Sequence, residues 1–534
     1  MRWMHLRGFF APAMSSHDER YPELVRLPVL AGAKGTFYIS HESGLRNEHK
    51  LNPSRIGLTR RPLRGNPVSR HVSSQTSLFR IAIMKDKLNR RDFVRATSVA
   101  GAGLAFGLPH LARAAGSETA KPALLGGPKA QTGGFPGWPV FDQTEEKALL
   151  GTLHSGQWYR GSGKAVANFE DAYAKLTGAK HCLATSCGTS ALYTTLGALD
   201  IGPGDEVIIP PYTFVATYNV VVLNYALPVF VDTDLESFQI DANKIEAAIT
   251  KQTKAIMPVH LGGSPADLDK ILEVADKHKL PVIEDACQAH LGEWRGRKVG
   301  TWGLAGCFSF QASKNLNSGE GGAVLTNDKE FSEICSNFHN QGHARQATGS
   351  HFACSGTRGS NLRLAEFQGN LLVAQMTRVV EQTNRRTENA DYLTKLLNEI
   401  PGIKPAKLYE GVTRSAYHLY MFRYDKAQFA GLDRAKFIAA MGKEGVPCSG
   451  GYGVMNKDEY VSGLAKNKHF LKIYGEQRMK QWLEQNQHCP QNEKLCGQAV
   501  WFTQNMLLGP RTDMEQIAEA IRKIQAHAGA LAKA

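Results

Sequence analysis

The sequence predicts an α/β fold, with a large domain built on a mostly parallel sheet and a smaller C-terminal α+β domain. Three observations indicate this class. Short apolar segments typical of buried strands alternate with helical patterns from about residue 167 onwards. After residue 371 the pattern becomes helical through about residue 400, which separates a second region from the first. The chain of 534 residues, 42% hydrophobic and 21% charged, can bury two or more domain cores.

The strand candidates follow one another along the chain, and helical patterns separate several of them. This alternation is typical of a parallel sheet with helices on both faces. Residues 184–199 and 265–279 have helical patterns. The segments interpreted as strands are residues 207–210, 228–232, 255–259, 282–284 and 306–310. We expect the large domain to span residues 116–380 and the small domain residues 381–534.

The N-terminal region differs in composition from the rest. Residues 1–83 are rich in Arg, Ser, Pro and Gly without sustained periodicity, so we interpret them as a non-structured extension or a gene-model artefact, with translation starting at Met84. Residues 84–115 resemble a twin-arginine export signal, because paired arginines precede a weakly apolar stretch and a small-x-small cleavage site. That stretch is too short and glycine-rich for a stable membrane span. We expect a periplasmic or exported protein, or a cytoplasmic one if residues 1–83 are translated or the signal is not used.

The net charge of +14 is concentrated near the N-terminus. Residues 1–115 hold 19 Lys+Arg and 7 Asp+Glu, whereas the remainder holds 44 and 42. The folded part is therefore close to neutral, which argues against a nucleic-acid partner. All nine cysteines lie beyond residue 115, without the close pairs or spacing typical of a metal site. Cys489 and Cys496 could form a disulfide, but their spacing does not decide this.

Residues 307–322 contain the most informative lysine. A short apolar strand pattern leads to Lys314, and a glycine-rich turn follows. A lysine at the edge of an apolar segment is poorly solvated, which disfavours its ammonium form and makes the amine available as a nucleophile. Such an amine can hold an aldehyde cofactor as a Schiff base, and glycines let the backbone pass close to a bulky group. The alternative is a strand, a surface lysine and a hairpin turn.

Two further segments carry candidate site residues. Asp285 follows a buried strand pattern, at the strand end where open α/β sheets bind ligands, and could pair with a protonated pyridine nitrogen. Gly188, Thr189 and Ser190 begin a helical pattern, and a helix N-terminus binds phosphate through its free N–H groups. The alternatives are a structural carboxylate or helix cap for Asp285, and an ordinary capped helix for the second segment.

Taken together and in this order, the three segments resemble the DegT/StrS-type sugar aminotransferases, a family of fold type I pyridoxal-phosphate enzymes. The resemblance runs from about residue 124 to the C-terminus. It implies that Lys314 holds pyridoxal 5′-phosphate and moves a proton, and that Asp285 keeps the ring nitrogen protonated.

The same resemblance implies further cofactor contacts. Phe214 corresponds to the aromatic ring on the cofactor face, and Gln288 to the residue that contacts its phenolic oxygen. Ser309 corresponds to a hydroxyl that meets the phosphate. Asn361 corresponds to an asparagine that reaches the phosphate in a partner subunit, although Ser360 replaces the family's usual aromatic beside it. A homodimer with a shared active site is therefore implied.

The implied reaction is ping-pong transfer of an amino group from glutamate or glutamine to a keto-sugar or keto-cyclitol. Three alternative functions fit the sequence less well. A sugar dehydratase on this scaffold typically has a histidine in place of Lys314. A carbohydrate sensor would not need Lys314, Asp285 and Gln288 together. A nucleotide-binding oxidoreductase needs a glycine fingerprint that residues 300–306 match only loosely. Residues 450–453 form a loop that could face the substrate.

Overall fold

The computed structural model describes residues 120–343 and 358–533, which lie within one compact unit. The predicted extension and export signal, residues 1–115, lie outside the described residues. No helix in the described ranges has the length and apolar character that a membrane crossing requires.

The described residues contain thirteen strands and fourteen α-helices. The strands are β1 His181–Thr185, β2 Glu206–Ile209, β3 Leu227–Phe230, β4 Thr253–Ile256, β5 Ile283–Asp285, β6 Glu293–Trp294, β7 Arg297–Lys298, β8 Ala305–Ser309, β9 Gly322–Thr326, β10 Ile403–Pro405, β11 Val412–Arg414, β12 Leu419–Tyr424 and β13 Ala499–Thr503. The helices are α1 Gln143–Ser155, α2 Ala165–Thr177, α3 Gly188–Ala198, α4 Ala216–Leu223, α5 Leu268–His278, α6 Lys329–His339, α7 Glu366–Asn398, α8 Arg434–Lys443, α9 Glu459–Leu464, α10 Lys468–Tyr474, α11 Glu476–Asn486, α12 Pro490–Gln498, α13 Arg511–Ala526 and α14 Ala528–Lys533.

Seven strands form the central sheet, in the order β3-β2-β4-β5-β8-β9-β1. β2 pairs in parallel with β3 and β4, and β5 pairs in parallel with β8. Parallel bridges between Ile256 and Val282, and between Val259 and Asp285, join the two halves. β9 is antiparallel to both β8 and β1. The predicted mostly parallel sheet is confirmed, and each predicted strand overlaps an observed one.

A buried carboxylate organises the strand end that leads to the site. Glu284 is fully buried, and its oxygens accept hydrogen bonds from the backbone N–H groups of Gly300 (2.6 Å), Trp302 (2.7 Å) and Gly303 (2.8 Å). His260 Nε2 lies 2.9 Å from the same carboxylate. Four partners compensate the loss of water around this charge. The glycine-rich loop 300–303 is therefore a cradle for Glu284, which explains its loose likeness to a nucleotide-binding fingerprint.

A long helix, α7, connects the two hydrophobic cores. Its first half contributes Leu372 and Val379 to the core around the parallel sheet. Its second half contributes Leu393 and Leu397 to the C-terminal core, which also contains the antiparallel sheet β10-β12-β13. The predicted boundary between residues 380 and 381 lies inside this helix.

Two other segments each pack in a core that is formed mainly by residues distant from them in the sequence. Leu125 and Phe135, near the start of the described chain, pack against the C-terminal core. Val461, Phe470 and Trp482, from α9 to α11, belong to the core of the parallel sheet. The domain limits 116–380 and 381–534 stay a prediction.

The two cysteines whose pairing the sequence left open are both free thiols. Cys489 is buried in the core of the parallel sheet. The Cys496 thiol donates to the Gly453 carbonyl oxygen at 3.3 Å, so this side chain has a hydrogen-bond acceptor of its own.

Candidate active site

A cavity of about 520 Å³ opens beyond the carboxyl ends of β1, β2, β5 and β8. This edge is where parallel sheets of α/β proteins bind their ligands. The structure brings seven of the nine predicted site residues together there, while Ser190 and Asn361 do not line the cavity. The seven are Gly188, Thr189, Phe214, Asp285, Gln288, Ser309 and Lys314.

Lys314 lies in the turn that follows β8. Its backbone N–H donates to the Gln311 carbonyl oxygen at 2.8 Å, and its side chain is half-buried. Burial lowers the pKa of the Lys314 ammonium, while the nearby Asp285 carboxylate acts in the opposite direction. The turn is also held from outside, because Trp138 Nε1 donates to the Ala312 carbonyl oxygen at 2.9 Å. The site therefore presents an amine with an increased neutral fraction in a fixed turn.

Asp285 is a buried carboxylate with a fixed orientation. Its side chain follows β5 and is only 4% exposed. Thr217 Oγ1 donates to Asp285 Oδ2 at 2.8 Å, and the Cys287 backbone N–H donates to Oδ1 at 3.2 Å. Thr213 and Thr217 share a hydrogen bond of 2.9 Å between their hydroxyls. The spacing Thr213-x-x-x-Thr217 places both hydroxyls on one face of the turn into α4, and this spacing is the signal for the pair in the sequence.

The N-terminus of α3 approaches the end of β8 closely. A Cβ at Gly188 would lie 2.6 Å from Ser309 Cβ and 3.0 Å from Cys287 Sγ, so glycine is required there. Cys187 is the N-cap, and its Sγ accepts from the Ser190 N–H at 3.4 Å. Free N–H groups and the Ser309 hydroxyl therefore meet in a cradle suited to an anion.

Ser190 does not line the cavity. Its hydroxyl lies 2.8 Å from Ser186 Oγ and 3.2 Å from Cys187 Sγ, the residues that immediately precede α3. These contacts stabilise the start of the helix. A phosphate contact of Ser190 stays a prediction.

Gln288 is fixed at both ends of its amide. Its Oε1 accepts from the Gly262 N–H at 2.8 Å, and its Nε2 donates to Tyr452 Oη at 3.1 Å. Burial raises the pKa of Tyr452 to about 12, so its hydroxyl stays protonated at neutral pH. Tyr452 lines the cavity and comes from the loop 450–453. Phe214 lies in the loop before α4 and keeps 57% of its surface exposed beside the cavity.

Two histidines support the site without having been assigned a role from the sequence. His290 Nε2 donates to the Ser309 carbonyl oxygen at 2.8 Å, and its Nδ1 accepts from Tyr173 Oη at 3.0 Å. Burial lowers the pKa of His290 to about 3, so it is a neutral brace behind β8. His418 lines the cavity, and its Nδ1 lies 3.3 Å from Asn315 Oδ1.

Asn361 lies on the surface of the chain. Its backbone pairs with Asn340 in an antiparallel bridge, and its side chain is exposed. Arg363, two residues later, places its guanidinium carbon 5.5 Å from the centre of the Tyr159 ring. Within one chain Asn361 is separate from the cavity, so its predicted role depends on a partner subunit.

The residues of the cavity fit a phosphorylated pyridine aldehyde. Lys314 offers an amine for the aldehyde, and Asp285 a buried carboxylate for the ring nitrogen. The α3 N-terminus offers a cradle for the phosphate, which a Cβ at Gly188 would obstruct. Among the described residues, no group of His, Cys, Asp and Glu side chains is arranged to hold a metal ion. The donor set therefore suits pyridoxal phosphate.

Comparison with known proteins agrees with this chemistry. The model of the DegT/DnrJ/EryC1/StrS aminotransferase family matches residues 140–522. An L-glutamine:2-deoxy-scyllo-inosose aminotransferase of Streptoalloteichus tenebrarius is 36% identical over 421 residues, which cover 77% of this chain and 98% of that protein. A 3-amino-5-hydroxybenzoate synthase of Amycolatopsis mediterranei is 31% identical over 409 residues, 74% of this chain and 98% of that one.

A solved structure gives the same result for the fold. The crystal structure of a 3-amino-5-hydroxybenzoic acid synthase matches with a TM-score of 0.65 and 31% identity, over 75% of this chain and 100% of that chain. The large domain therefore has the fold type I architecture of these aminotransferases. With residues 140–522 matched and the site assembled around Lys314 and Asp285, the chain belongs to the DegT/DnrJ/EryC1/StrS aminotransferase family and is an enzyme of the transaminase type.

Proposed function

We propose that this protein is a pyridoxal-phosphate-dependent aminotransferase that moves the amino group of L-glutamine to a keto-cyclitol by a ping-pong mechanism. One observation carries the chemistry: a half-buried lysine, Lys314, and a buried carboxylate, Asp285, line the same cavity. Relatives named as L-glutamine:2-deoxy-scyllo-inosose aminotransferases support the choice of donor and acceptor. A nucleotide-linked keto-sugar is the alternative acceptor.

Each residue of the cavity has a distinct task in this proposal. Lys314 holds the aldehyde carbon and, as an amine with a lowered pKa, accepts and returns the proton that moves during transfer. Asp285, oriented by Thr217, keeps a proton on the ring nitrogen. Ser309 and the α3 N-terminus hold the phosphate. Pyridoxal phosphate itself supplies an electron sink for the carbon that loses its proton.

We further propose a homodimer, supported by the unusual orientation of α1. The carboxylate of Glu145 and the hydroxyl of Thr152 are buried against α7, where Arg378 and Asn370 bind them. Three leucines of the same helix, Leu149, Leu150 and Leu153, form a leucine face that is 36–46% exposed.

The leucine face belongs to a larger apolar surface. Phe141, Trp158 and Tyr159 flank α1 and are 51–75% exposed. Apolar surfaces of this kind are typical of protein–protein interfaces. Because Arg363 packs on Tyr159, the surface is continuous with the segment that carries Asn361. A second copy of the chain bound to this surface would lie near Asn361, as a shared active site requires.

The function is tested with purified protein, pyridoxal phosphate and L-glutamine labelled with ¹⁵N at the α-amino group. A polyhydroxylated cyclohexanone should become an amine that carries the label, detected by mass spectrometry. Glutamine labelled only at the side-chain amide is the control and should transfer no label. A nucleotide-linked keto-sugar tests the other acceptor class. Failure of the α-¹⁵N label to enter any ketone would contradict the proposal.

We propose that residues 84–115 direct export of the folded enzyme. Twin-arginine export carries folded proteins, which suits an enzyme that acquires its cofactor inside the cell. Replacing Arg90 and Arg91 by lysine should leave a reporter fused after residue 115 in the cytoplasm, while the unaltered sequence sends it out. If the two fusions were distributed equally between the cytoplasm and the exported fraction, residues 84–115 would not be an export signal.

A further inference from the structure

Asn315, the residue after Lys314, connects the lysine turn to the C-terminal region. Its side chain is buried, with 2% exposure. Asn315 Nδ2 donates to the Ala416 carbonyl oxygen at 2.7 Å, and Oδ1 lies 3.3 Å from His418 Nδ1. One amide therefore contacts two residues of a single segment that borders the cavity.

The chemistry of these contacts determines where the protons lie. A carbonyl oxygen only accepts hydrogen bonds, so the Asn315 atom facing Ala416 must be the NH₂ group. The other atom is then the amide oxygen, which also only accepts. His418 Nδ1 must therefore carry a proton and donate it to Asn315. Burial, together with the charge of Lys314, lowers the pKa of His418, so the ring is neutral and its Nε2 has no proton.

Among residues 120–343 and 358–533, His418 Nε2 forms no hydrogen bond, and the ring lines the cavity. We propose that Asn315 is a positioning residue that fixes this tautomer of His418, and that His418 Nε2 accepts a hydrogen bond from a hydroxyl group of the keto-acceptor. The inference rests on the proposed function, because it assigns a task in recognising the polyhydroxylated substrate.

The arrangement explains a specificity for hydroxylated ketones. An unpaired nitrogen in a cavity strengthens the binding of a substrate that donates a hydroxyl hydrogen bond to it. It weakens the binding of a substrate that leaves the nitrogen without a partner. L-Glutamine has no hydroxyl group, so a contact between His418 and a substrate hydroxyl belongs to the second half-reaction. Because Asn315 is adjacent to Lys314, the same amide fixes the distance between the recognising ring and the reacting amine.

The tautomer is measured first, in the full-length protein with and without cofactor. Two-bond ¹H–¹⁵N spectra of ¹⁵N-histidine-labelled protein should show one ring, absent in His418→Phe, with a protonated Nδ1 and a bare Nε2 at pH 7. In Asn315→Leu that ring should change tautomer, whereas the exposed control Asn398→Leu should leave it unchanged. A wild-type His418 that is charged, or protonated at Nε2, would overturn the proposal even if Asn315→Leu does not fold.

The half-reactions are measured next. In His418→Phe the rate of the aminated enzyme with a polyhydroxylated cyclohexanone should fall about tenfold, the typical effect of one lost hydrogen bond. The rate with L-glutamine should stay within about twofold, and His488→Phe, an exposed control, should change neither. Equal loss in both half-reactions would contradict the substrate contact. If the wild-type protein accepts no such ketone, the proposed function fails, while the tautomer measurement still decides the role of Asn315.

Discussion

The chemistry of Lys314 arises from its surroundings. The same side chain on a helix surface would be an ordinary solvated cation. Here burial lowers its pKa, and the turn is held by Trp138 on one side and Asn315 on the other. Lysine and the glycine-rich turn could be predicted from the sequence. The two braces could not, because Trp138 lies 176 positions from Lys314 and the partner of Asn315 lies 101 positions away.

Lys314→Ala should abolish amino transfer while the fold is retained, because the amine that holds the cofactor and moves the proton is lost. Borohydride reduction of the loaded wild-type enzyme, followed by peptide mapping, should place the pyridoxyl group on Lys314. Lys329→Ala, an exposed control, should keep activity and labelling. A pyridoxyl label on another lysine in the wild-type enzyme would refute the assignment.

His290 should make the fold sensitive to mild acid. Its pKa is about 3 in the folded protein and near 6.5 in the unfolded chain, so between these values only the unfolded chain gains the proton. Stability is therefore lost as the pH falls below about 6.5, by up to about 1.4 kcal/mol per pH unit. The groups that face this ring are Tyr173 Oη, the Ser309 carbonyl oxygen and the side chains of Phe308 and Phe310, with Lys314 and Arg386 as nearby cations.

His290→Gln removes this titration, so its unfolding free energy should vary less between pH 7 and pH 5, even if it is lower at pH 7. Urea unfolding at several pH values measures the slope. His488→Gln, at an exposed position, is the control and should keep the wild-type slope. An unchanged slope in His290→Gln would mean that His290 is not neutral in the folded state.

The elements that build the site were predicted unevenly. The parallel strands have continuous apolar runs, so their positions could be predicted to within a few residues. β9 was missed, because Gly322 begins a strand that the sequence presents as the end of a glycine-rich turn. A Cβ at Gly322 would lie 2.3 Å from the carbonyl oxygen of Cys187, the N-cap of α3, so the glycine allows a close approach between β9 and the start of α3. Local pattern gives no information about such long-range approaches.

The approach of α3 to β8 gives a prediction at the level of elements. In Gly188→Ala the added methyl would overlap Ser309 Cβ, so the N-terminus of α3 must move away from Ser309, which distorts the phosphate cradle that the two form. Affinity for pyridoxal phosphate should fall on the order of tenfold to a hundredfold, equivalent to about 1–3 kcal/mol of strain. Fluorescence titration of the apoprotein measures it. Gly442→Ala in α8, where a Cβ meets nothing within 4 Å, is the matched control. If the affinity for pyridoxal phosphate were unchanged, the N-terminus of α3 would not be part of the cofactor site.

At the scale of the whole molecule, the chain exposes an apolar surface that a stable monomer would bury. The leucine face of α1 is turned outward while Glu145 is turned inward. Their apolar character predicts that these leucines are buried in the core, and only the structure shows that they are exposed. Leu150→Asp combined with Leu153→Asp should therefore give a soluble monomer that retains cofactor poorly, as judged by sedimentation and absorbance.

The shared site makes a stricter prediction. Lys314→Ala and Asn361→Asp subunits should each be impaired as homodimers, the second because a carboxylate would repel the cofactor's phosphate. If Asn361 serves the partner's cavity, a mixed dimer has both lesions in one site and none in the other. Equal mixing should then restore about a quarter of wild-type activity, since half of the dimers are mixed and each has one intact site. If Asn361 served its own cavity, every site in the mixed dimer would carry a lesion. No recovery in verified mixed dimers would therefore place Asn361 outside a shared site.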